Sequence, residues 1–78
     1  MSTRVTVYTR PGCHLCQEAL AVVAKVCADL GEEYDEVSID GDADLTRSFG
    51  EEVPVTFVDG KQHDFWRVSE DRLRTALG

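Results

Sequence analysis

The hydrophobic pattern of this 78-residue chain changes period several times, and that alternation limits its fold more than any other feature. Residues 4–9 alternate apolar and polar side chains, which is typical of a β-strand. Residues 14–30 instead repeat apolar side chains every three or four positions up to Gly31, which predicts a long amphipathic helix. A strand followed by such a helix predicts the start of a β-α-β unit.

The middle of the chain predicts a second strand and a second helix. Residues 34–39 carry Val37 and Ile39 on one face with polar side chains between them, as expected for a strand at the edge of a sheet. Asp42 is suited to cap a following helix, and Gly50 is suited to end it. We therefore expect a short helix between these two residues.

The last part of the chain predicts a β-hairpin and a final helix. Residues 55–58 and 62–68 are predicted as the two arms of the hairpin, because Asp59-Gly60 between them is a tight-turn signal. Ser69 is a favourable N-cap for the helix that follows. The predicted order is therefore β-α-β-α-β-β-α. It corresponds to an α/β fold with a four-stranded mixed sheet, one right-handed parallel crossover and three flanking helices.

The composition is that of one small folded domain, which we expect to span residues 1–78. Apolar residues make up 42% of the chain and charged residues 29%, as in ordinary globular proteins. The formal net charge of -7 repels the phosphates of nucleic acids, which excludes a nucleic-acid partner. Residues 1–4 do not form a secretory signal, and no apolar run approaches membrane-spanning length. We expect a cytoplasmic monomer without a membrane partner.

Cys13 and Cys16 carry the chain's strongest chemical signal, because they stand three residues apart at the predicted start of the long helix. A cysteine in the first turn of a helix faces unpaired backbone N–H groups and the positive end of the helix dipole, which stabilise a thiolate. Cys16 lies one turn further along, where it can attack a mixed disulfide on Cys13. This spacing predicts reversible disulfide chemistry.

The same cysteine pair permits a different class of function. Cys13 and Cys16, with His14 or His63, have the donor atoms that zinc prefers, although no second C-x-x-C is present. An iron–sulfur cluster shared between two chains would need Cys13 of each chain and thiols from outside. A metal or iron–sulfur carrier, or a redox-inactive adaptor, is therefore the alternative to an enzyme. Cys27 lies on the helix's apolar stripe and is expected to be buried.

Residues 29–44 form a strongly acidic run. They include eight Asp or Glu side chains and no Lys or Arg. Such a run is most often a solvated face of the protein, and the alternative is a docking surface for a basic partner. The sequence leaves both interpretations open.

Four short motifs make the chain resemble glutaredoxin-like proteins of the thioredoxin superfamily, especially small bacterial ones with the sequence CHLC. They are YTRPGCHLC at residues 8–16, VPV at 53–55, FVDGK at 57–61 and WRV at 66–68. The resemblance implies a thioredoxin-like, glutaredoxin-type fold. It also implies a thiol–disulfide oxidoreductase that acts in electron transport and cell redox homeostasis.

The resemblance implies roles for individual residues. Cys13 is then the attacking cysteine and Cys16 the resolving one. Pro54 is expected to be a cis-proline beside the pair. A cis bond there would leave the N–H and C=O groups of Val53 free to pair with an extended substrate, as in strand addition.

The chain departs from typical glutaredoxins where those proteins bind glutathione. They hold its γ-glutamyl end with a Gly-Gly pair, a Ser or Thr and an Asp near the last helix. This chain has bulky residues 65–68 there and keeps only the polar segment 69–71, in which Glu70 is expected to contact substrate. Arg10, the basic residue nearest to the cysteines in sequence, is expected to pair with a substrate carboxylate.

The expected partner is a disulfide in a protein or in a small thiol compound, and no bound cofactor or metal is expected. An external reductant must complete the cycle. The sequence leaves open whether it is glutathione, another low-molecular-weight thiol or a flavin reductase.

Overall fold

A computed structural model of the protein describes residues 3–65 and 67–78, and within these residues it contains four strands and three helices. Their order, β-α-β-α-β-β-α, confirms the predicted α/β fold class. The elements are β1 (Val5–Thr9), α1 (His14–Leu30), β2 (Tyr34–Ser38), α2 (Ala43–Phe49), β3 (Val55–Val58), β4 (Lys61–Phe65) and α3 (Glu70–Leu77).

The strands form one mixed sheet in the order β2-β1-β3-β4. β1 runs parallel to β2 and antiparallel to β3, and β3 and β4 form the predicted antiparallel hairpin. β2 is therefore an edge strand, as expected from its polar composition. Because side chains alternate along β1, Val5, Val7 and Thr9 are buried on one face while Tyr8 is half-buried on the other.

The second arm of the hairpin is β4, which runs from Lys61 to Phe65. It is therefore shorter than the predicted arm, 62–68. The carboxylate of Asp64 accepts hydrogen bonds from the Ser69 backbone N–H at 3.3 Å and from Arg72 at 2.9 Å. These bonds tie the end of the strand to the start of α3. Trp66, which the predicted arm included, lies outside the described residues.

All three helices begin where the sequence predicted, and α1 and α2 also end there. Asp42 caps α2 by accepting the Leu45 backbone N–H at 3.0 Å, and Ser69 caps α3 by accepting the Arg72 N–H at 3.3 Å. Gly31 ends α1 in the left-handed conformation, with φ of 71°. None of the helices in residues 3–65 and 67–78 has the length and hydrophobicity needed to cross a bilayer.

Two apolar clusters hold these elements together. The larger joins the sheet to α1 and α3 and contains Cys27, whose predicted burial is confirmed. Its buried members are Val5, Val7, Val23, Val26, Cys27, Val58, Leu73 and Leu77. The smaller has Cys16, Ile39 and Val53 as its buried members, and Tyr8, Cys13, Leu45 and Phe49 pack against them. The smaller cluster brings the start of α1 against α2 and the residues that lead into β3.

Candidate functional site

Cys13 occupies the N-cap position of α1. The chain reaches it through Gly12, whose left-handed φ of 76° a residue with a side chain adopts only with strain. The Cys13 backbone is extended, and its Sγ atom accepts the backbone N–H of Cys16 at 3.1 Å. The sulfur therefore takes the place that a Ser or Asp oxygen takes in ordinary N-caps.

The surroundings of this sulfur favour negative charge. The first turn of α1 presents unpaired N–H groups and the positive end of the helix dipole, and it contains no acidic side chain. The Cys13 side chain is only half-buried, so a substrate can reach it. The predicted setting of Cys13 at a helix N-terminus is confirmed, and the setting is one that activates thiols in proteins.

Cys16 lies behind Cys13 and is 3% exposed. Burial and a hydrogen bond to Cys13 raise the pKa of Cys16 to about 11, although a hydrogen bond from the Arg10 backbone acts in the opposite direction. Cys16 is therefore a protonated thiol at neutral pH. The site combines one accessible sulfur with one protected thiol a single helical turn away.

Val53 and Pro54 are joined by a cis peptide bond, as predicted, and both are buried. Val53 belongs to the same apolar cluster as Cys16. Its N–H is not free, however, because it donates to the carbonyl oxygen of Phe49 at 3.0 Å. The expectation that both polar groups of Val53 are available to a substrate is wrong for the N–H. Phe49 ends α2, and its carbonyl has no partner inside that helix.

The carbonyl of Val53 differs from its N–H. Within residues 3–65 and 67–78, no donor bonds it. Glu52 also donates its N–H to the Phe49 carbonyl at 2.9 Å, so one carbonyl receives two N–H groups where the chain leaves α2. The described residues thus leave one acceptor at Val53 for an extended substrate.

Arg10 lies between the end of β1 and the end of α2. Its guanidinium donates to the carbonyl oxygen of Gly50 at 3.1 Å, and the side chain is otherwise exposed. A guanidinium has five N–H donors, so one such bond leaves capacity for a carboxylate. Pairing of Arg10 with substrate stays a prediction.

Glu70 lies apart from the other predicted site residues. Its carboxylate bonds Arg74 at 3.0 Å and lies 3.5 Å from the ammonium of Lys25. Lys25 is twelve positions after Cys13, or about 18 Å along α1 at the usual rise per residue. Hydrogen bonding to Arg74 and the charge of Lys25 lower the pKa of Glu70. Its predicted contact with substrate would require it to exchange these partners.

The sequence analysis did not identify Glu36 as a neighbour of the site. Glu36 Oε2 accepts the hydroxyl of buried Thr9 at 3.1 Å, and its charge contributes to the raised pKa of Cys16. The parallel register pairs Val7 of β1 with Glu36 of β2, which directs Glu36 towards the face that α1 covers. No local sequence signal specifies that register, so the proximity was not predictable.

The donor atoms needed for a metal are not clustered in this part of the molecule. Within residues 3–65 and 67–78, no three His, Cys, Asp or Glu side chains lie close enough together to hold an ion. A metal bound by Cys13 and Cys16 would therefore need further ligands from another molecule.

The chain is similar to several known proteins in sequence and in fold. A family model described as "Glutaredoxin-like domain (DUF836)" matches residues 4–78. An uncharacterized protein of Mycobacterium tuberculosis is 33% identical over an alignment 79 residues long, which covers 95% of this chain and 81% of that protein. The solution structure of protein Ne2328 from Nitrosomonas europaea has a TM-score of 0.82 and 32% identity, covering 100% of this chain and 95% of that one. Oxidized glutaredoxin 2 from Chlamydomonas reinhardtii, at 24% identity, shares the fold with a TM-score of 0.60 over 95% of this chain and 70% of its own.

Proposed function

Because the chain belongs to the glutaredoxin-like (DUF836) family, we propose that it is a thiol–disulfide oxidoreductase in which Cys13 attacks and Cys16 resolves. The observation that carries the proposal is the 3.1 Å hydrogen bond from the Cys16 backbone N–H to the Cys13 sulfur. It holds the accessible sulfur at the positive end of α1 and keeps the second thiol within one turn of it.

In the first step, the Cys13 thiolate attacks one sulfur of a substrate disulfide. A bond forms between Cys13 Sγ and that sulfur, the substrate S–S bond breaks, and the other substrate sulfur leaves as a thiolate. The N–H groups at the start of α1 stabilise the attacking sulfur while it is charged. The product is a mixed disulfide on Cys13.

In the second step, Cys16 gives up its proton to solvent or to the leaving sulfur and attacks Cys13 Sγ. The Cys13–Cys16 disulfide forms, and the second half of the substrate leaves as a thiolate that takes up a proton. The substrate gains two electrons and the protein loses two. Burial raises the pKa of Cys16, so this deprotonation is unfavourable at neutral pH, but the charge of Cys13 no longer adds to that pKa once Cys13 is in the mixed disulfide.

The free carbonyl of Val53 supports the proposed binding of an extended segment beside the cysteines. Arg10 lies at the same end of the sheet and supplies the cation for a substrate carboxylate. Both roles suit a protein disulfide or a small thiol compound with a carboxylate. The reductant that restores the dithiol is glutathione, another low-molecular-weight thiol or a flavin reductase.

The test is a steady-state reduction assay with the purified full chain. A protein disulfide and a mixed glutathione disulfide are the substrates, and glutathione with its reductase or a flavin thioredoxin reductase supplies the electrons. We expect turnover with at least one combination and none for Cys13→Ser. Equal rates for Cys13→Ser and the wild type would contradict the proposal, as would tightly bound stoichiometric metal without any turnover.

A further inference from the structure

The outer edge of β2 is open in the part of the chain that the structure describes, residues 3–65 and 67–78, where β2 pairs with β1 alone. The Ile39 N–H just after β2 donates to the Thr9 carbonyl at 2.8 Å. In a parallel ladder, every second residue of a strand points both its N–H and its C=O at the same neighbouring strand, and the residues between them point theirs to the other side. Counting back from Ile39, the backbone groups of Tyr34, Glu36 and Ser38 therefore point away from the sheet. They can hydrogen-bond a further strand.

A groove of about 480 Å³ lies beside this edge. Small apolar residues of α1, among them Ala24 and Ala28, line it together with Tyr34, whose side chain is 36% exposed. Glu33 and Asp35 also line the groove, although the pairing of Asp35 with Thr6 directs the Asp35 side chain to the face of β2 opposite α1. Apolar walls beside carboxylates suit the long aliphatic stem and charged end of a lysine or arginine.

The charges of the groove are only partly neutralised within the described chain. Glu32 is paired with Arg4 at 2.9 Å. Within residues 3–65 and 67–78, neither Glu33 nor Asp35 forms an ion pair, and both are exposed. They belong to the acidic run 29–44, which contains no Lys or Arg.

We propose that the open edge of β2 and its adjoining groove form a docking surface for an extended, basic segment of a partner protein. The segment would add to the sheet beyond β2 and place basic side chains beside Glu33 in the groove and beside Asp35 on the opposite face of β2. A second copy of this chain does not fit, because it also carries a net charge of -7 and would bring acids against acids. The groove adjoins the second half of α1, away from the cysteine pair, whereas the edge strand also carries Glu36, whose charge acts on Cys16.

The probe is a blocked octapeptide of alternating lysine and threonine, titrated into the full chain and followed by the backbone amide signals in NMR. We expect the largest shift changes at Tyr34, Glu36 and Ser38, with slower hydrogen exchange at their amides. The same peptide with N-methylated backbone should bind much more weakly, because it cannot complete the ladder. No binding, shifts centred on Cys13, or unchanged affinity after N-methylation would overturn the proposal.

Two matched double variants separate docking from general charge attraction. Glu33→Gln with Asp35→Asn removes two charges from the docking surface and should weaken the peptide's affinity about tenfold. Asp40→Asn with Asp44→Asn removes two charges of the same acidic run outside the groove and should change affinity much less. An equal loss in both would overturn the proposal, as would a wild-type dimer formed through β2 without peptide. Reduction of a small disulfide should be the same in both variants, which keeps this test independent of the proposed redox activity.

Discussion

Cys13 Sγ accepts the backbone N–H of Cys16 at 3.1 Å, so the sulfur that faces substrate also caps the helix that carries its partner. One hydrogen bond thus links the start of α1 to the chemistry of the pair. It directs helix N–H groups at the accessible sulfur while the Cys16 side chain stays buried. The two thiols should therefore differ in reactivity.

The rates at which Cys13 and Cys16 are alkylated should depend differently on pH. With a pKa of about 11, only about one Cys16 in ten thousand is a thiolate at neutral pH. Iodoacetamide should therefore modify Cys13 first, and modification of Cys16 should accelerate as the pH rises towards 11. Site-resolved mass spectrometry measures both rates. Equal rates for Cys13 and Cys16 in the native protein at neutral pH would contradict this prediction.

The variant Cys13→Ser provides a control on the cause of this pKa. A hydrogen bond to Cys13 and the charge of Cys13 both raise the pKa of Cys16, and a serine removes the charge while keeping a hydroxyl, so the pKa of Cys16 should fall in the variant. Burial, the largest contribution, remains. We expect Cys16 alkylation in Cys13→Ser to begin at lower pH than in the wild type, but still above the pH at which an exposed cysteine reacts.

Arg4 should stabilise the fold by joining three distant segments. It bonds both carboxylate oxygens of Asp59 at 2.9 Å, Glu32 at 2.9 Å and the Leu77 carbonyl at 3.1 Å. Arg4→Gln should lower the melting temperature, because it loses these bonds together. The matched control is Arg47→Gln, whose side chain is 80% exposed in a loose pair with Asp44 and should have little effect. Equal melting temperatures for the two variants would contradict this role.

The difference in melting temperature between the wild type and Arg4→Gln should shrink in acid. Hydrogen bonding to Arg4 lowers the pKa of Asp59 below its ordinary value of 3.8. The pair's contribution is therefore present above pH 3.8 and is lost as the pH falls through the lower pKa of the folded state. The wild type and Arg4→Gln should converge in melting temperature in strong acid. A gap that widens there would exclude this pair as its source.

Leu73 should be among the costliest positions to truncate. It is fully buried between α3, the sheet and α1, whereas Leu30 at the end of α1 is 41% exposed. Leu73→Ala should lower the free energy of unfolding by about 2–5 kcal/mol, and Leu30→Ala by about 0.5 kcal/mol or less. Urea unfolding followed by circular dichroism measures both. Similar losses at the two positions would show that the larger cluster is not the main core.

Local signals in the sequence predicted most of the fold. The bounds of α1 follow from one amphipathic stripe and from Gly31, and the caps at Asp42 and Ser69 follow from side-chain chemistry. The hairpin around Asp59-Gly60 was also predictable. Each of these features depends on residues close together in the chain, so the sequence pattern was sufficient.

The remaining details depend on contacts between distant segments. The Phe49 carbonyl accepts a hydrogen bond from the Val53 N–H because α2 ends beside the residues that lead into β3. Glu70 pairs with Lys25 because α3 packs against residues in the second half of α1, such as Val23 and Val26. Glu36 approaches Cys16 through the parallel register of two strands. No local pattern specifies these arrangements.

The most direct test of the central claim is the intact mass of Cys16→Ser after reaction with bis(2-hydroxyethyl) disulfide, compared with the wild type. The account predicts a persistent mixed disulfide on Cys13 in the variant. In the wild type it predicts a Cys13–Cys16 disulfide with Cys27 still reduced. A mixed disulfide that persists equally in both proteins, or that forms on Cys27, would contradict it.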